Sequence, residues 1–465
     1  MKAKQFFKNF AYAISSNLVS LLISTIVVFI VPKIISIEQY GFFQLYIFYT
    51  SYVGVLHFGW FDGIYLRYGG TEYREINYSK FNSQFVMSFI LEIIVALVIW
   101  SIALFKGGAN NQFILEMCAI AVVLVNMQQM LLYILQGTNR IKEYVIVTVT
   151  NRFIYLGGIL LCLIFSWTDY RYFVVSDLLG KLVTFGLAIY FCREIVFAKF
   201  SGFDFEEMRE NIVVGSKLVF ANFTSMLIIG IVRYGVQYRW GVKEFGKLSL
   251  TMNISNMMMV FVTAISLVLF PVLRRVSSEK YRLIYGHMRT IIMLVLFTGL
   301  LIYYPVATGL EIWLPKYKES LIYMGLLFPI CIFDGKFELL VNTFMKTLRM
   351  EKILLNVNMI SLIISILLTI LNTFVFKSFS FIMISIVIIL GVRSTIGEYY
   401  LQSKLNINLT ARMIEEWVMV GLFMLISWSV SFPFSMIIYA AVLMIYVLIN
   451  IRNIKDGYYY IKKIV

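Results

Sequence analysis

Apolar runs of twenty or more residues recur from Phe10 to Ile451, each long enough to cross a hydrocarbon core roughly 30 Å thick. Inside such a core no water satisfies backbone polar groups, so the chain must close its own hydrogen bonds. Runs of this length without alternation do so as helices. Hydrophobic residues make up 60% of the chain and charged ones only 14%, against about 45–50% and 25% in soluble domains. The reading is all-α and polytopic, and a soluble fold is excluded.

Set against their polar breaks, the runs predict fourteen spans, near residues 10–31, 40–60, 81–105, 112–136, 145–166, 171–191, 214–238, 245–273, 290–310, 319–345, 353–375, 380–402, 413–430 and 435–451. The basic start (Lys2, Lys4, Lys8) is followed by no small-residue cleavage site, so the first run reads as a retained span. With the N-terminus inside, and with Arg171, Lys217 and Lys247 at span ends counted with the adjoining segments, 26 of the 40 Lys and Arg residues fall on the inside and 9 on the outside, which orients the chain with both termini cytoplasmic. The longer loops, 61–80, 192–213 and 274–289, are then inside, and the short outer loops leave no room for an external catalytic domain.

Cys118, Cys162, Cys192 and Cys331 lie in or beside apolar spans without a C-x-x-C spacing, and His57 and His287 stand far apart. This pattern argues against disulfides and against a metal site. The net charge of +15 has no extended solvated face to form a nucleic-acid footprint and is a consequence of topology.

An offset of 205 residues superposes Asn17 on Asn222, Ser20 on Ser225, Tyr40 on Phe245 and Gly41 on Gly246, with nine identities in the thirty positions from residue 17. The offset pairs spans 1 and 2 with spans 7 and 8, six apart and so inserted in the same sense. Two parallel six-helix lobes are expected, residues 1–212 and 213–404, with residues 405–465 holding two further helices and a cytoplasmic tail. Lobes of this kind rock about a site at their interface in alternating-access transporters.

Pro32, then Glu38-Gln39-Tyr40-Gly41-Phe42, then Asp62-Gly63-Ile64-Tyr65-Leu66-Arg67-Tyr68-Gly69-Gly70 resemble the polysaccharide transporter branch of the multidrug, oligosaccharidyl-lipid and polysaccharide (MOP) exporter superfamily, the Wzx-type oligosaccharide flippases. One step departs from the family: its Pro-Arg-x-Leu-Gly is here Pro32-Lys33-Ile34-Ile35-Ser36. The resemblance implies a MATE-like, V-shaped pair of lobes. It also implies export of an undecaprenyl-diphosphate-linked oligosaccharide for capsule, exopolysaccharide or O-antigen synthesis, beside a polymerase and other assembly proteins in the cell membrane.

Ionisable groups within spans cost roughly 2.5–3.5 kcal/mol each at a helix centre, so they face the protein interior or a wet cavity. A diphosphate needs cations to replace its lost water. Arg393 and Lys181 are the deepest candidates, followed by Arg152 and Arg233 nearer their span ends. Glu92 also lies deep. Asp177 stands four residues before Lys181 on one helix face, and Asp334 and Glu338 share that spacing. These four acids are the candidates for coupling H+ or Na+, and no organic or metal cofactor is expected. A multidrug or cation antiporter of the same superfamily is disfavoured because no acidic or basic residue lies between Phe10 and Val31. A lipid II flippase stays open, and a membrane polysaccharide polymerase is disfavoured by the short outer loops.

Overall fold

A computed structural model describes the backbone of residues 3–275 and 281–464, and the side chains of residues 12, 15–259 and 281–459. The described residues are helical with no strand. The helices are α1 (Ala3–Ile34), α2 (Ile37–Thr50), α3 (Trp60–Tyr68), α4 (Tyr78–Phe105), α5 (Ala109–Gly137), α6 (Ile141–Ile164), α7 (Tyr170–Phe191), α8 (Arg193–Val196) and α9 (Phe205–Arg275). They continue with α10 (Tyr281–Gly299), α11 (Tyr303–Trp313), α12 (Lys318–Leu327), α13 (Ile330–Lys336), α14 (Thr343–Thr347), α15 (Glu351–Ile370), α16 (Phe379–Leu405), α17 (Thr410–Ser429), α18 (Phe434–Ile449) and α19 (Ile451–Ile464). α9 is two helices meeting at Gly241, whose φ of 85° breaks the helical path. Nine helices are long and apolar enough to cross a membrane among the described residues, or ten with Phe434–Ile449 and Ile451–Tyr459 taken as one bent span. The chain is a multi-pass membrane protein.

Two units form, Met1–Phe223 and Thr224–Val465. In the first, α5 is the central helix, packed by α2, α3, α4 and α7, while α6 lies against α7 and α1. The buried face of α5 carries Cys118, Ala119, Ala121, Asn126 and Gln128, the small and polar residues that let helices approach and bond where apolar burial gives no drive. Outward faces are apolar instead: Ile94, Leu97 and Val98 of α4 are exposed, as lipid-facing positions are. In the second unit α16 is central, packed by α12, α13 and α15. The pairs of the 205-residue offset share their environments: Asn17 and Asn222 are exposed, Gly41 and Gly246 buried, Tyr40 and Phe245 buried.

Each predicted span coincides with helical backbone, but several are not single helices. Span 2 ends at Thr50, passes through a short 3-10 turn (Val53–Val55), and resumes as α3 where an inside loop was expected. Phe58 and Gly59, with φ of 54° and 87°, make the break. Trp60, Phe61 and Ile64 are fully buried, which is why this stretch packs as a helix and not as a solvated loop. Span 10 is interrupted after α12, since Pro329 lacks an N–H donor, and again by a π-helical turn over Phe337–Asn342. Residues 405–465 pack within the second unit, α17 on α12 and α19 on α10.

Candidate functional site: buried charges of the two units

In the first unit Lys181 and Asp177 form the ion pair their spacing predicts, and Tyr46 of α2 completes it. The Tyr46 hydroxyl donates to Asp177 Oδ2 at 2.7 Å, and Lys181 Nζ lies 3.5 Å from the Tyr46 oxygen. The side chains of Lys181 and Asp177 retain 16% and 12% exposure, so this pair is reachable from outside the core. α6 and α7 are joined here by Asn151, whose amide donates to Thr184 Oγ1 at 3.1 Å. One residue along, Arg152 is exposed, and it makes no ion pair or hydrogen bond among the described residues. Arg152 and Asp177 both lie within electrostatic reach of the buried Tyr155. Two cations and one carboxylate therefore stand around the α6–α7 seam.

Arg393 is bound differently. Its Nε donates to Asn358 Oδ1 at 3.0 Å, one terminal nitrogen to Ser225 Oγ at 2.8 Å and the other to Asp334 Oδ1 at 3.4 Å, with the guanidinium 3.8 Å from the centre of the Phe337 ring. Asp334 and Glu338, expected as a carboxylate pair, thus have separate partners: Arg393 for the first and the Asn342 amide, at 2.7 Å, for the second. Arg233 donates to Ser249 Oγ at 3.0 Å and lies over Phe245. Glu92 is fully buried and accepts from the Asn126 amide at 2.8 Å.

A cluster that no spacing suggests ties the second unit together. Glu398 of α16 accepts from Arg289 Nε at 2.6 Å, Lys336 Nζ at 2.9 Å and the Tyr285 hydroxyl at 2.9 Å. Glu416 of α17 pairs with Arg289 and with Lys336 Nζ at 2.5 Å. All four charged side chains are at most 3% exposed, and two positive charges meet two negative ones. The set is balanced in charge and fastens α10, α13, α16 and α17 to one another. In the sequence Arg289 stands at the end of the loop expected over 274–289, and Glu416 near the start of a span.

The Asp62 to Gly70 motif builds the joint between α3, α5 and the start of α9. Gly63 faces the Asn211 backbone so closely that an added Cβ would sit 1.9 Å from its carbonyl oxygen. Arg67 donates to Glu207 Oε1 and Asn211 Oδ1, both at 2.7 Å, and pairs with Glu210; Lys80 reaches Glu207 Oε2 at 2.6 Å. Asp62 accepts from the Tyr133 hydroxyl at 3.3 Å and stands 3.6 Å from His57 Nε2. Gly70 N–H donates to the Gly137 carbonyl at 2.9 Å. Beside this joint an open cleft of about 940 Å³ is lined by Glu72, Tyr73, Arg74, Gln136 and Arg140. The Gln39 side chain of the earlier motif accepts from the Tyr170 N–H at 2.8 Å, docking the start of α2 on the start of α7.

Residues 6–277, more than half of the chain, match the polysaccharide biosynthesis protein family. This chain belongs to that family. The fold is shared with solved transporters: an inward-facing multidrug resistance MATE family transporter of the MOP superfamily superposes with a TM-score of 0.65 at 11% identity, covering 84% of this chain and 98% of that one. A MATE structure in complex with MaD3S gives 0.57 at 11% identity, covering 84% and 93%. No curated protein matches the chain. The family member described here therefore has the MATE fold.

Proposed function

We propose that this protein carries an undecaprenyl-diphosphate-linked oligosaccharide across the cell membrane, exposing its site alternately to the two sides, for assembly of a surface polysaccharide. It acts as a transporter and not as an enzyme. The family match supports the polysaccharide role, and the MATE fold supports transport. The observation that carries the substrate class is the α6–α7 seam: Lys181 holds a single carboxylate and Arg152 stands exposed with no ion pair among the described residues. Charges placed in a span without full neutralisation attract an ion of opposite sign, and a diphosphate matches them.

Arg393 and Arg233 are second-rank phosphate contacts in this reading. To reach an anion Arg393 must first give up Asp334, Asn358 and Ser225, so its exchange is tied to a change in α13 or α15. The glycan occupies water and the polyprenyl tail stays in lipid. With the termini cytoplasmic, the cleft lined by Tyr73, Arg74 and Arg140 meets the sugar on the side where it is made. Release outside requires unequal affinity in the two conformations, since equal affinity shifts nothing.

Arg152→Gln and Lys181→Gln, each at wild-type protein level, are expected to lower surface polysaccharide, and Lys181→Arg to restore part of it. Full export by the Arg152→Gln, Lys181→Gln double variant would remove the seam as the anion site.

A further inference from the structure

Glu92 and Asn126 form an acid–amide pair in the core of the first unit, both side chains fully buried. The Asn126 amide spends one hydrogen on Glu92 Oε2 at 2.8 Å and the other on the Val53 carbonyl at 3.1 Å. That exhausts its donors. Two buried oxygens are left over, Glu92 Oε1 and Asn126 Oδ1, and neither has a hydrogen-bond partner among the described residues. Turning the amide over sets its oxygen against both the Val53 carbonyl and Glu92 Oε2. Both orphans belong to one pair, and both are acceptors, so a single hydrogen shared between them would satisfy both.

We propose that Glu92 is a proton-binding site: a proton taken from water forms the O–H bond on Oε1, which donates to Asn126 Oδ1 and closes an eight-membered acid–amide ring. Loss of the proton to water leaves a carboxylate with one neutral donor, an arrangement a buried site does not tolerate without rearranging.

Among the described residues, the charged groups on the elements packed against α4 have partners other than Glu92. On α5, Glu116 accepts from Gln112 and Tyr133 bonds Asp62; Cys118 lies within electrostatic reach of Lys181 and Asp177. His57, in the break before α3, pairs with Asp62, and on α8 Arg193 pairs with Glu194. Lys80, on α4 itself, pairs with Glu207. None of these is paired with Glu92. Asn126 also holds the carbonyl of Val53, in the broken stretch between α2 and α3, so occupancy of the site bears on the position of that stretch. As the coupling ion of the transporter, the proton deepens the transport reading and rests on it; the existence of the site does not.

Infrared spectroscopy of the purified full chain in lipid vesicles tests the site without any sugar substrate, so it succeeds or fails independently of the export assays. At neutral pH the wild type is expected to show a protonated-carboxyl C=O band that moves on transfer to D2O, is lost in Glu92→Gln, and persists in Glu116→Gln. Asn126→Leu, which breaks the ring, is expected to raise its frequency. Replacing potassium by sodium is expected to leave it in place. A spectrum identical in wild type and Glu92→Gln, a band unmoved by Asn126→Leu, or a band abolished by sodium would overturn the proposal, the last by making the pair a sodium site.

Discussion

Arg289 and Arg152 are both cations in apolar helices, and their surroundings give them opposite expected phenotypes. Arg289 lies between Glu398 and Glu416 with all three side chains at most 3% exposed, and removing one member strands a buried charge. Arg289→Gln or Glu416→Gln is expected to cost about 3–5 kcal/mol, read as a lower unfolding midpoint in detergent and less folded protein in the membrane. The exposed Lys318–Glu311 pair is the comparison: Lys318→Gln should change stability by no more than about 1 kcal/mol. Arg152→Gln should leave the midpoint in place and act on export alone. Arg393→Gln is expected to lower both, because it releases Asn358, Ser225 and Asp334 together. Deep cations were legible in the sequence, and so was the partner of Lys181, four residues away on one helix; partners on other helices were not. Residues 289, 336, 398 and 416 share no spacing, and only the packing of four helices brings them together.

Helices were legible wherever apolar residues ran unbroken, since a span must satisfy its own backbone. The broken stretch between α2 and α3 was not, because the turn at Phe58 and Gly59 lies inside an apolar run, while Asp62, Gly63 and Arg67 of α3, with Gly69 and Gly70 after it, resemble a loop. Here Gly63 is required by close approach. Gly63→Ala would put a Cβ 1.9 Å from the Asn211 carbonyl oxygen, whereas nothing stands within 4 Å of a Cβ at Gly54 in the same stretch. Gly63→Ala is therefore expected to lower the unfolding midpoint sharply and Gly54→Ala to leave it nearly unchanged. Thermal denaturation of the purified variants, followed by tryptophan fluorescence, makes the comparison. Equal midpoints would show that α3 and the start of α9 do not pack as described.

For the whole molecule, the charge bias predicts Lys106 and Lys377 outside and Lys199 and Lys404 inside, and all four are exposed. Single cysteines at the first two positions are expected to react with an impermeant thiol reagent in intact cells, and those at the last two only after permeabilisation; the reverse pattern would invert the topology. Transport of a lipid-linked sugar is the central claim, and deleting the gene in its native host tests it most directly. An undecaprenyl-diphosphate-linked oligosaccharide is expected to accumulate on the cytoplasmic leaflet while the surface polysaccharide disappears, both reversed by the wild-type gene and not by the Arg152→Gln, Lys181→Gln variant. Unchanged surface polysaccharide with no accumulated lipid-linked sugar would contradict the account.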